Sequence, residues 1–376
     1  MDLNQVVRGR VPRPGGFDDL VVTVSSGTVS DIRAAADGDP DSSGILLPGL
    51  VDVHNHGGGG ASFHSTSLDE ITTAADVHHA AGTTTMLAST VTDAPARLLE
   101  VVSTLATAAE SGLISGSHLE GPFLAQSCRG AHDPSLLLAP DAGLTRELVD
   151  AGRGHLRMMT LAAELPGADD VAAVLAEAGA VVALGHTAAS AAQARAFLAG
   201  PGSLVTHLFN GVPPAHHRDP GPVLGALGAA GVGDACVELI ADGVHLDDET
   251  VRAVMSMVPG SVVLVTDAMA AAGMADGDYQ LGPLSVEVRD GVARVADGTG
   301  NGSIAGGTSR LIDQLRRHAA AGIDLAMLMK AAGLRPASVV GLDAGRLDVG
   351  ARADLVVFDD DLRPTRVMRN GAWLTS

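Results

Sequence analysis

The sequence predicts an α/β protein, a (β/α)8 TIM-like barrel over residues 45–342 with a small β-sandwich domain formed from residues 1–44 and 343–376. Between Gly44 and Thr266, short β-branched runs end in a polar residue and lead into alanine-rich, helix-forming stretches. These runs are apolar on both faces, as buried parallel strands are. The two chain ends instead alternate as short antiparallel strands do, with turn residues between them.

Eight runs follow this theme, and their number predicts a closed barrel. Segments such as 169–178 and 247–257 are predicted to be the helices between them. An open, doubly wound sheet is the alternative, but no glycine-rich phosphate fingerprint follows the first run. The runs begin near Ile45, Gly82, Ile114, His155, Val181, Ser203, Val237 and Val262.

The remaining segments complete the predicted architecture. FDDLVVTVSSGTVSDI near the start and ADLVVFDDDLRPTRVMRNGAW near the end could not bury a face alone, so we expect them to pair. LSVEVRDGVARV, after the eighth run, reads as a hairpin turning at Asp290 and Gly291. Helical patterns resume between Thr308 and Gly333.

Composition excludes several classes of protein. The formal net charge is −20 and Lys330 is the only lysine, which argues against nucleic acid or an anionic membrane as a partner. The start of the chain lacks a signal-peptide pattern and no apolar stretch is long enough for a membrane span, so a cytoplasmic protein is expected. Cys128 and Cys236 are too few for a disulfide framework.

Metal-competent side chains close five of the eight runs. In such barrels the active site forms at the carboxyl ends of the strands. A lone histidine is more often structural, as we expect for His78, His79, His155 and His318, but burying the whole set unpaired would cost about 1–3 kcal/mol per group. Imidazole and carboxylate ligands predict a divalent metal, zinc above all, with iron, manganese or cobalt open. The predicted ligands are His54, His56, Glu120, His186, His207 and Asp267.

Ordered motifs through nearly the whole chain resemble those of N-acetylglucosamine-6-phosphate deacetylases, in the amidohydrolase superfamily. HLEGPF and THLFNG are the most discriminating, and HxH is shared across the superfamily. The resemblance implies hydrolysis of N-acetylglucosamine 6-phosphate to glucosamine 6-phosphate and acetate. With His54 and His56 present, the chain resembles family members that can hold two ions rather than one. The motifs are PGLVDVHNHG, HLEGPF, GHT, THLFNG, ADGVH and VTDA.

The scarcity of lysine bears on the metal bridge. Many two-metal amidohydrolases bridge their ions with a carbamylated lysine on the fourth strand, but HLRMMTLAAE contains none. Glu120 is therefore the available bridging carboxylate, in agreement with the resemblance.

The resemblance also implies a set of substrate contacts. His132, in the loop RGAHDP with Ala131, would bind the sugar or the developing oxyanion, although a solvated loop histidine fits the sequence equally well. Arg218 would bind the phosphate across a homodimer interface, against the alternative of an ordinary surface arginine. Asn210, Gly211 and His245 would bind the sugar phosphate, and Ile304, Ala305 and Gly306 would form a substrate loop or simply a glycine-rich turn.

These residues together give a mechanistic hypothesis. A divalent ion lowers the pKa of the attacking water toward ~7 and polarises the acetamide carbonyl. Asp267 takes the proton from that water and delivers it to the departing amine.

Two other functions compete with the deacetylase hypothesis. One is a cyclic amidase or deaminase on the same barrel, and the other is a barrel that has lost catalysis. Cys128, close to His132, is expected to be a buried, inert thiol, with a reactive thiol on a mobile loop as the alternative.

Overall fold

The computed structural model describes residues 4–374. Its strands, in chain order, are β1 (Gln5–Arg13), β2 (Gly16–Ser25), β3 (Thr28–Ala34), β4 (Ile45–Pro48), β5 (Leu50–Asp52), β6 (Gly57–Gly58), β7 (Ala61–Ser62), β8 (Thr83–Met86), β9 (Ala88–Thr90), β10 (Ser117–Glu120), β11 (Leu156–Leu161), β12 (Val181–Leu184), β13 (Gly202–Val205), β14 (Cys236–Leu239), β15 (Val262–Leu264), β16 (Gly277–Leu281), β17 (Leu284–Arg289), β18 (Val292–Val295), β19 (Leu355–Phe358), β20 (Pro364–Arg369) and β21 (Ala372–Trp373).

The helices alternate with the strands in the middle of the chain. Their ends follow local sequence: Pro95 opens α2, and Ser190 with Gln193 forms a capping box at α5. Within the described residues, no helix is both long and apolar enough to cross a bilayer. The helices are α1 (Leu68–Ala80), α2 (Pro95–Glu110), α3 (Ala142–Ala151), α4 (Ala168–Glu177), α5 (Ala191–Leu198), α6 (Gly221–Val232), α7 (Asp248–Met257), α8 (Leu311–Ala320), α9 (Leu325–Met329) and α10 (Arg335–Val339), with a 3₁₀ turn at Gln126–Cys128 and a π turn at Lys330–Leu334.

The central sheet is parallel and its strands lie in chain order. It has seven strands, ordered β15-β14-β13-β12-β11-β10-β9. The register pairs each strand with the next predicted run, for example Leu119 with Met159 and Met159 with Val182. Because the strands are parallel, their carboxyl ends lie at one edge of the sheet, where the predicted ligands follow them.

The first and second predicted runs are each two strands rather than one. The first breaks at Gly49, between β4 and β5, and the second breaks at Leu87, between β8 and β9. A Cβ atom on Gly49 would lie 2.0 Å from Oγ1 of Thr84, so only glycine allows this close approach. The chain bends there, and β5 pairs with β8 while β4 joins another sheet.

The segment just after β5 is hydrogen-bonded on both sides. The Asp267 amide donates to the His54 carbonyl at 2.9 Å, and the His56 amide donates to the Ala268 carbonyl at 2.7 Å. On the other side, the Ser89 amide donates to the Asn55 carbonyl at 2.7 Å. The end of the first run therefore lies between the ends of the eighth and the second.

Strands from both chain ends share one sheet. Its order is β21-β20-β19-β4-β1-β2-β3, with β1 and β4 parallel and the other pairs antiparallel. Valines of β1 and β2 form one buried cluster with Leu355, Val357 and Met368. A separate antiparallel sheet, β16-β17-β18, turns at Asp290 and Gly291 between its second and third strands.

The chain divides into two compact units. One comprises the chain up to Asp52, residues 76–85 and the chain from Arg310 onward. The other comprises residues 53–75 and 86–309, and it contains all six predicted metal ligands.

Candidate metal centre and active site

The six predicted metal ligands meet at the carboxyl edge of the central sheet. Each lies at the end of its strand or within four residues after it, and each is at most 8% exposed. We call this group the histidine–carboxylate cluster. Its members are His54, His56, Glu120, His186, His207 and Asp267.

Glu120 divides the cluster into two halves. Its Oε2 lies 3.2 Å from Nε2 of His56, which is itself 3.1 Å from Oδ1 of Asp267. Its Oε1 lies 3.0 Å from Nε2 of His186 and 2.8 Å from Nε2 of His207. Oε2 also lies 3.7 Å from Nε2 of His54, so each oxygen of this carboxylate faces a pair of histidines, as expected of a bridging ligand.

Three members of the cluster have left-handed backbone conformations. The φ angles are +47° at His186, +28° at His207 and +47° at Asp267. Non-glycine residues adopt this region rarely, at a cost of about 1–3 kcal/mol each. The turn follows directly after the strand and directs each side chain toward the cluster, so the strain is concentrated where function is expected.

Charges within the cluster support each other. Burial opposes ionisation of Glu120 and Asp267, but neighbouring imidazoles, His54 first, lower the pKa of both carboxyls. For His54 burial opposes the charged form as well, and yet the carboxylates Asp267 and Glu120 raise its pKa well above its ordinary value. The site therefore favours positive charge at its centre.

The donors fit a divalent metal ion. Nε2 of His54 faces Nε2 of His56 at 3.1 Å, and His186 faces His207 in the same way at 3.1 Å. At most one proton can lie between two such nitrogens, so at least one nitrogen of each pair is unprotonated and could coordinate a cation in place of accepting that hydrogen bond. One ligand atom from each of His54, His56, Glu120 and Asp267 lies within 4.8 Å of the others. Buried nitrogen and carboxylate donors this close together suit a cation.

A second buried group includes His132, which the sequence placed with the substrate. Glu120, His132 and His186 also bring ligand atoms within 4.8 Å of one another. The His132 ring is buried, so it is not a solvated loop residue. Its Nδ1 accepts from the Thr92 amide at 3.3 Å, and burial lowers the pKa of His132 to about 4. The ring is therefore neutral and carries its proton on Nε2, 3.5 Å from Glu120.

The cluster opens into a cavity of about 300 Å³. Most of the predicted substrate residues line this cavity. Ala305, between two of them in the sequence, is fully buried and does not line it. His245 is held by Asp242, whose Oδ2 lies 2.9 Å from Nδ1. Burial opposes the charged form, but this carboxylate raises the pKa of His245. The predicted residues on the wall are Ala131, His132, Asn210, Gly211, His245, Ile304 and Gly306.

Arg218 does not line this cavity. It is exposed, and one of its guanidinium nitrogens lies 2.8 Å from Nε2 of His217. Reciprocal backbone hydrogen bonds between His216 and Asp219 close the short turn that carries it. The structure therefore separates Arg218 from the residues that the sequence grouped with it.

Cys128 acts on the cluster through its backbone. Its carbonyl oxygen accepts from Nδ1 of His186 at 2.8 Å, which leaves Nε2 of that ring for the centre. The thiol is buried, and burial raises its pKa. This matches the expected buried thiol.

Sequence reasoning missed Glu238, on β14. Its side chain is fully buried, and its Oε2 lies 3.0 Å from Nδ1 of His54 and 3.0 Å from the amide nitrogen of His207. The available signal was a glutamate in the otherwise apolar run VELI. Glu238 lies inside the strand rather than at its carboxyl end, so the pattern of strand-end residues does not include it.

His118 was also left without a role. Its two ring nitrogens lie 3.0 Å from the Ser89 hydroxyl and 2.8 Å from the Thr160 hydroxyl. Burial lowers the pKa of His118 well below its ordinary value. Both nitrogens have hydroxyl partners, so this ring supports the cluster from behind.

Comparison with known proteins assigns the family. The amidohydrolase family matches residues 45–374. N-acetylglucosamine-6-phosphate deacetylase of Bos taurus is 34% identical over 361 residues, covering 91% of this chain and 87% of the relative. N-acetylgalactosamine-6-phosphate deacetylase of Escherichia coli O157:H7 is 32% identical over 385 residues, covering 98% and 99% of the two chains.

A solved structure agrees with these relatives. A variant of N-acetyl-D-glucosamine-6-phosphate deacetylase from Mycobacterium smegmatis, in complex with N-acetyl-D-glucosamine-6-phosphate, superposes with a TM-score of 0.94 at 39% identity. The match covers 99% of this chain and 100% of that one. The chain therefore belongs to the amidohydrolase family and, within it, to the group of N-acetylglucosamine-6-phosphate deacetylases.

Proposed function

We propose that this protein hydrolyses the acetamido group of N-acetylglucosamine 6-phosphate, giving glucosamine 6-phosphate and acetate. The observation that carries the proposal is the histidine–carboxylate cluster at the end of a cavity whose wall holds the predicted sugar contacts. The named activity of relatives over most of the chain supports the same substrate class.

Amidohydrolases generally depend on divalent metals, and the cluster could hold one. We propose zinc, in one or two ions per chain, held by His54, His56 and Asp267 on one side of Glu120 and by His186 and His207 on the other. Such an ion would polarise the amide carbonyl and lower the pKa of the attacking water. The two halves of the cluster support two positions.

Asp267 is the proposed proton carrier. Its lowered pKa keeps it a carboxylate before the reaction, able to accept a proton from the water that attacks the carbonyl carbon. A new C–O bond forms, and the C–N bond then breaks as the same carboxyl group delivers the proton to the amine nitrogen. Asp267 returns to its starting state with acetate and the free amine as products.

Other residues would hold the substrate. His132 is neutral with its proton on Nε2, so it can donate a hydrogen bond to the carbonyl oxygen as negative charge develops there. His245, Asn210, Gly211 and the loop at Ile304–Gly306 would hold the sugar phosphate, with the raised pKa of His245 favouring a cation near an anionic group.

We propose that Arg218 binds the phosphate in the active site of a second subunit of a homodimer. Its exposure and its place outside its own cavity support this arrangement. The planar guanidinium can donate two parallel hydrogen bonds to a phosphate.

The predicted architecture remains the proposal for the whole chain. Hydrogen bonds from residues 54–56 to both the eighth and the second run support a closed barrel. The shared sheet and its buried cluster support a small β domain built from both ends. The boundaries at residues 44 and 343 remain part of the proposal, and β4, directly after the first boundary, also pairs in this sheet.

The test is acetate release by the zinc-reconstituted protein. N-acetylglucosamine 6-phosphate should be hydrolysed in preference to unphosphorylated N-acetylglucosamine. N-acetylgalactosamine 6-phosphate belongs in the same assay, because one relative is named for that epimer. Failure to release acetate from any acetamido sugar would contradict the proposal. Equal rates on the phosphorylated and unphosphorylated sugars would contradict recognition of the phosphate.

A further inference from the structure

We propose that Glu238 is a positioning residue that fixes His54 and His207 in the histidine–carboxylate cluster and thereby sets its metal affinity. This rests on the proposed metal site. Glu238 is the only charged residue of β14, and its side chain is fully buried. It is not among the residues that line the cavity, so it is not placed to touch a substrate bound there.

One oxygen of Glu238 serves both halves of the cluster. Nδ1 of His54 donates to Oε2 at 3.0 Å, on the side of the ring away from the other ligands. With the proton fixed on Nδ1, the lone pair of His54 lies on Nε2, which faces His56 at 3.1 Å. A carboxylate partner also makes the imidazole a stronger ligand.

The same oxygen orients the other half through the backbone. It accepts from the amide nitrogen of His207 at 3.0 Å, and the Glu238 carbonyl accepts from the Leu208 amide at 2.9 Å. His207 is one of the residues with a left-handed backbone, at φ +28°. Two hydrogen bonds to one residue thus hold the strained turn that directs the His207 ring toward Glu120.

A purely structural role does not account for this residue. An aliphatic side chain would fill the apolar strand without the cost of desolvating a carboxylate. Both groups that bind the Glu238 side chain belong to proposed metal ligands, which are otherwise far apart in the sequence. The carboxylate is therefore explained by what it does to those two histidines.

Two substitutions separate the charge from the hydrogen bonds. In Glu238→Gln the amide oxygen can take the place of Oε2 and keep both hydrogen bonds. The amide nitrogen would then take the place of Oε1, which is buried without a hydrogen-bond partner, so no existing bond is broken. Glu238→Ala removes both bonds. Glu177→Gln, at the exposed end of α4, is the matched control for loss of one negative charge.

The measurement is zinc affinity by chelator competition, with metal content per chain and the absorption spectrum of the cobalt-substituted protein. We expect Glu238→Ala to lose about 10- to 100-fold in affinity and to alter the cobalt spectrum, since it frees a ligand ring. Glu238→Gln should lose less, and the control should match the wild type. Thermal unfolding of the metal-free proteins shows whether each variant folds.

Wild-type zinc affinity and cobalt spectra in a folded Glu238→Ala protein would overturn the proposal. If that variant does not fold, Glu238→Gln decides: a weaker affinity than the control supports the proposal, and an equal affinity overturns it. Acetate release plays no part in these readouts. A wild-type protein that binds zinc but hydrolyses no acetamido sugar would remove the proposed function and leave this inference standing.

Discussion

The histidine–carboxylate cluster and Arg218 were both assigned to the active site from the sequence, but their surroundings in the structure are opposite. Cluster members are at most 8% exposed and contact one another at 2.8–3.2 Å across Glu120. Residues 214–219 are exposed, and Arg218 has a histidine of its own turn as its neighbour. Removing a cluster member leaves buried partners behind, whereas removing the Arg218 side chain leaves an exposed histidine that solvent can reach. The two regions should therefore respond differently to substitution.

The largest effect should come from Asp267. Asp267→Asn keeps the size of the side chain and tolerates its left-handed backbone, but it cannot take the proton from water. We expect kcat to fall about 100- to 10,000-fold with zinc content unchanged. Steady-state kinetics and metal analysis check this, with Asp278→Asn on the exposed strand β16 as the control. Loss of zinc together with activity would mean that the variant is inactive because it lacks the metal, which would leave Asp267 with its ligand role alone and contradict its role as the base.

The next effect tests whether the cluster acts as a metal site. His186→Asn should weaken zinc binding by more than about 100-fold. Residues that only support a metal ligand typically contribute about 10- to 100-fold in affinity, and His186 is a proposed ligand itself. Zinc should then raise the melting temperature of the variant less than that of the wild type, because bound metal stabilises the folded state.

His155→Asn is the matched control for that substitution. His155 directly precedes β11, at the end of the strand away from the carboxyl edge, and we expect unchanged zinc affinity. Equal zinc affinity in His186→Asn and His155→Asn would contradict the assignment of His186 as a metal ligand.

A smaller effect is expected for Arg218. Arg218→Ala should raise KM for the phosphorylated sugar by about tenfold or more, as for a lost hydrogen bond to a charged group worth about 1.5–3 kcal/mol. The free energy of unfolding should change by less than about 0.5 kcal/mol, as at other exposed sites. Arg146→Ala, on α3, is the control for loss of an exposed arginine. An unchanged KM would leave Arg218 as an ordinary surface residue.

The smallest effect concerns a buried histidine outside the cluster. Nδ1 of His64 accepts from the Val91 amide at 3.4 Å, and Nε2 lies 2.9 Å from Asp93. Burial lowers the pKa of His64 despite that carboxylate, so the folded ring is neutral. A histidine whose folded pKa lies below its unfolded value gives stability that is present above about pH 6.5 and is lost on acidification.

His64→Gln should make unfolding less dependent on pH. We expect the difference in unfolding free energy between wild type and variant to shrink as the pH falls from 7 toward 5, measured by denaturant unfolding at each pH. A constant difference would mean that the His64 pKa is the same in the folded and unfolded protein.

The metal ligands could be predicted from the sequence because residues of the right chemical type stand at the ends of the predicted strands. Each cluster member closes an apolar run, and the carboxyl ends of parallel strands must meet, so six residues spread over more than two hundred positions could be grouped without coordinates. The break at Gly49 could not be predicted in this way. It depends on how closely Thr84 approaches, and that distance belongs to the folded chain.

The sequence by itself determined which side chains could carry the chemistry, because ligand type and strand period are local properties. Only the tertiary structure decided how they are supported. The carboxylate of Glu238 reaches His54 across 184 positions, burial makes His132 a neutral donor, and Arg218 lies outside the cavity. These features depend on burial and on distances between remote segments, which strand patterns do not encode.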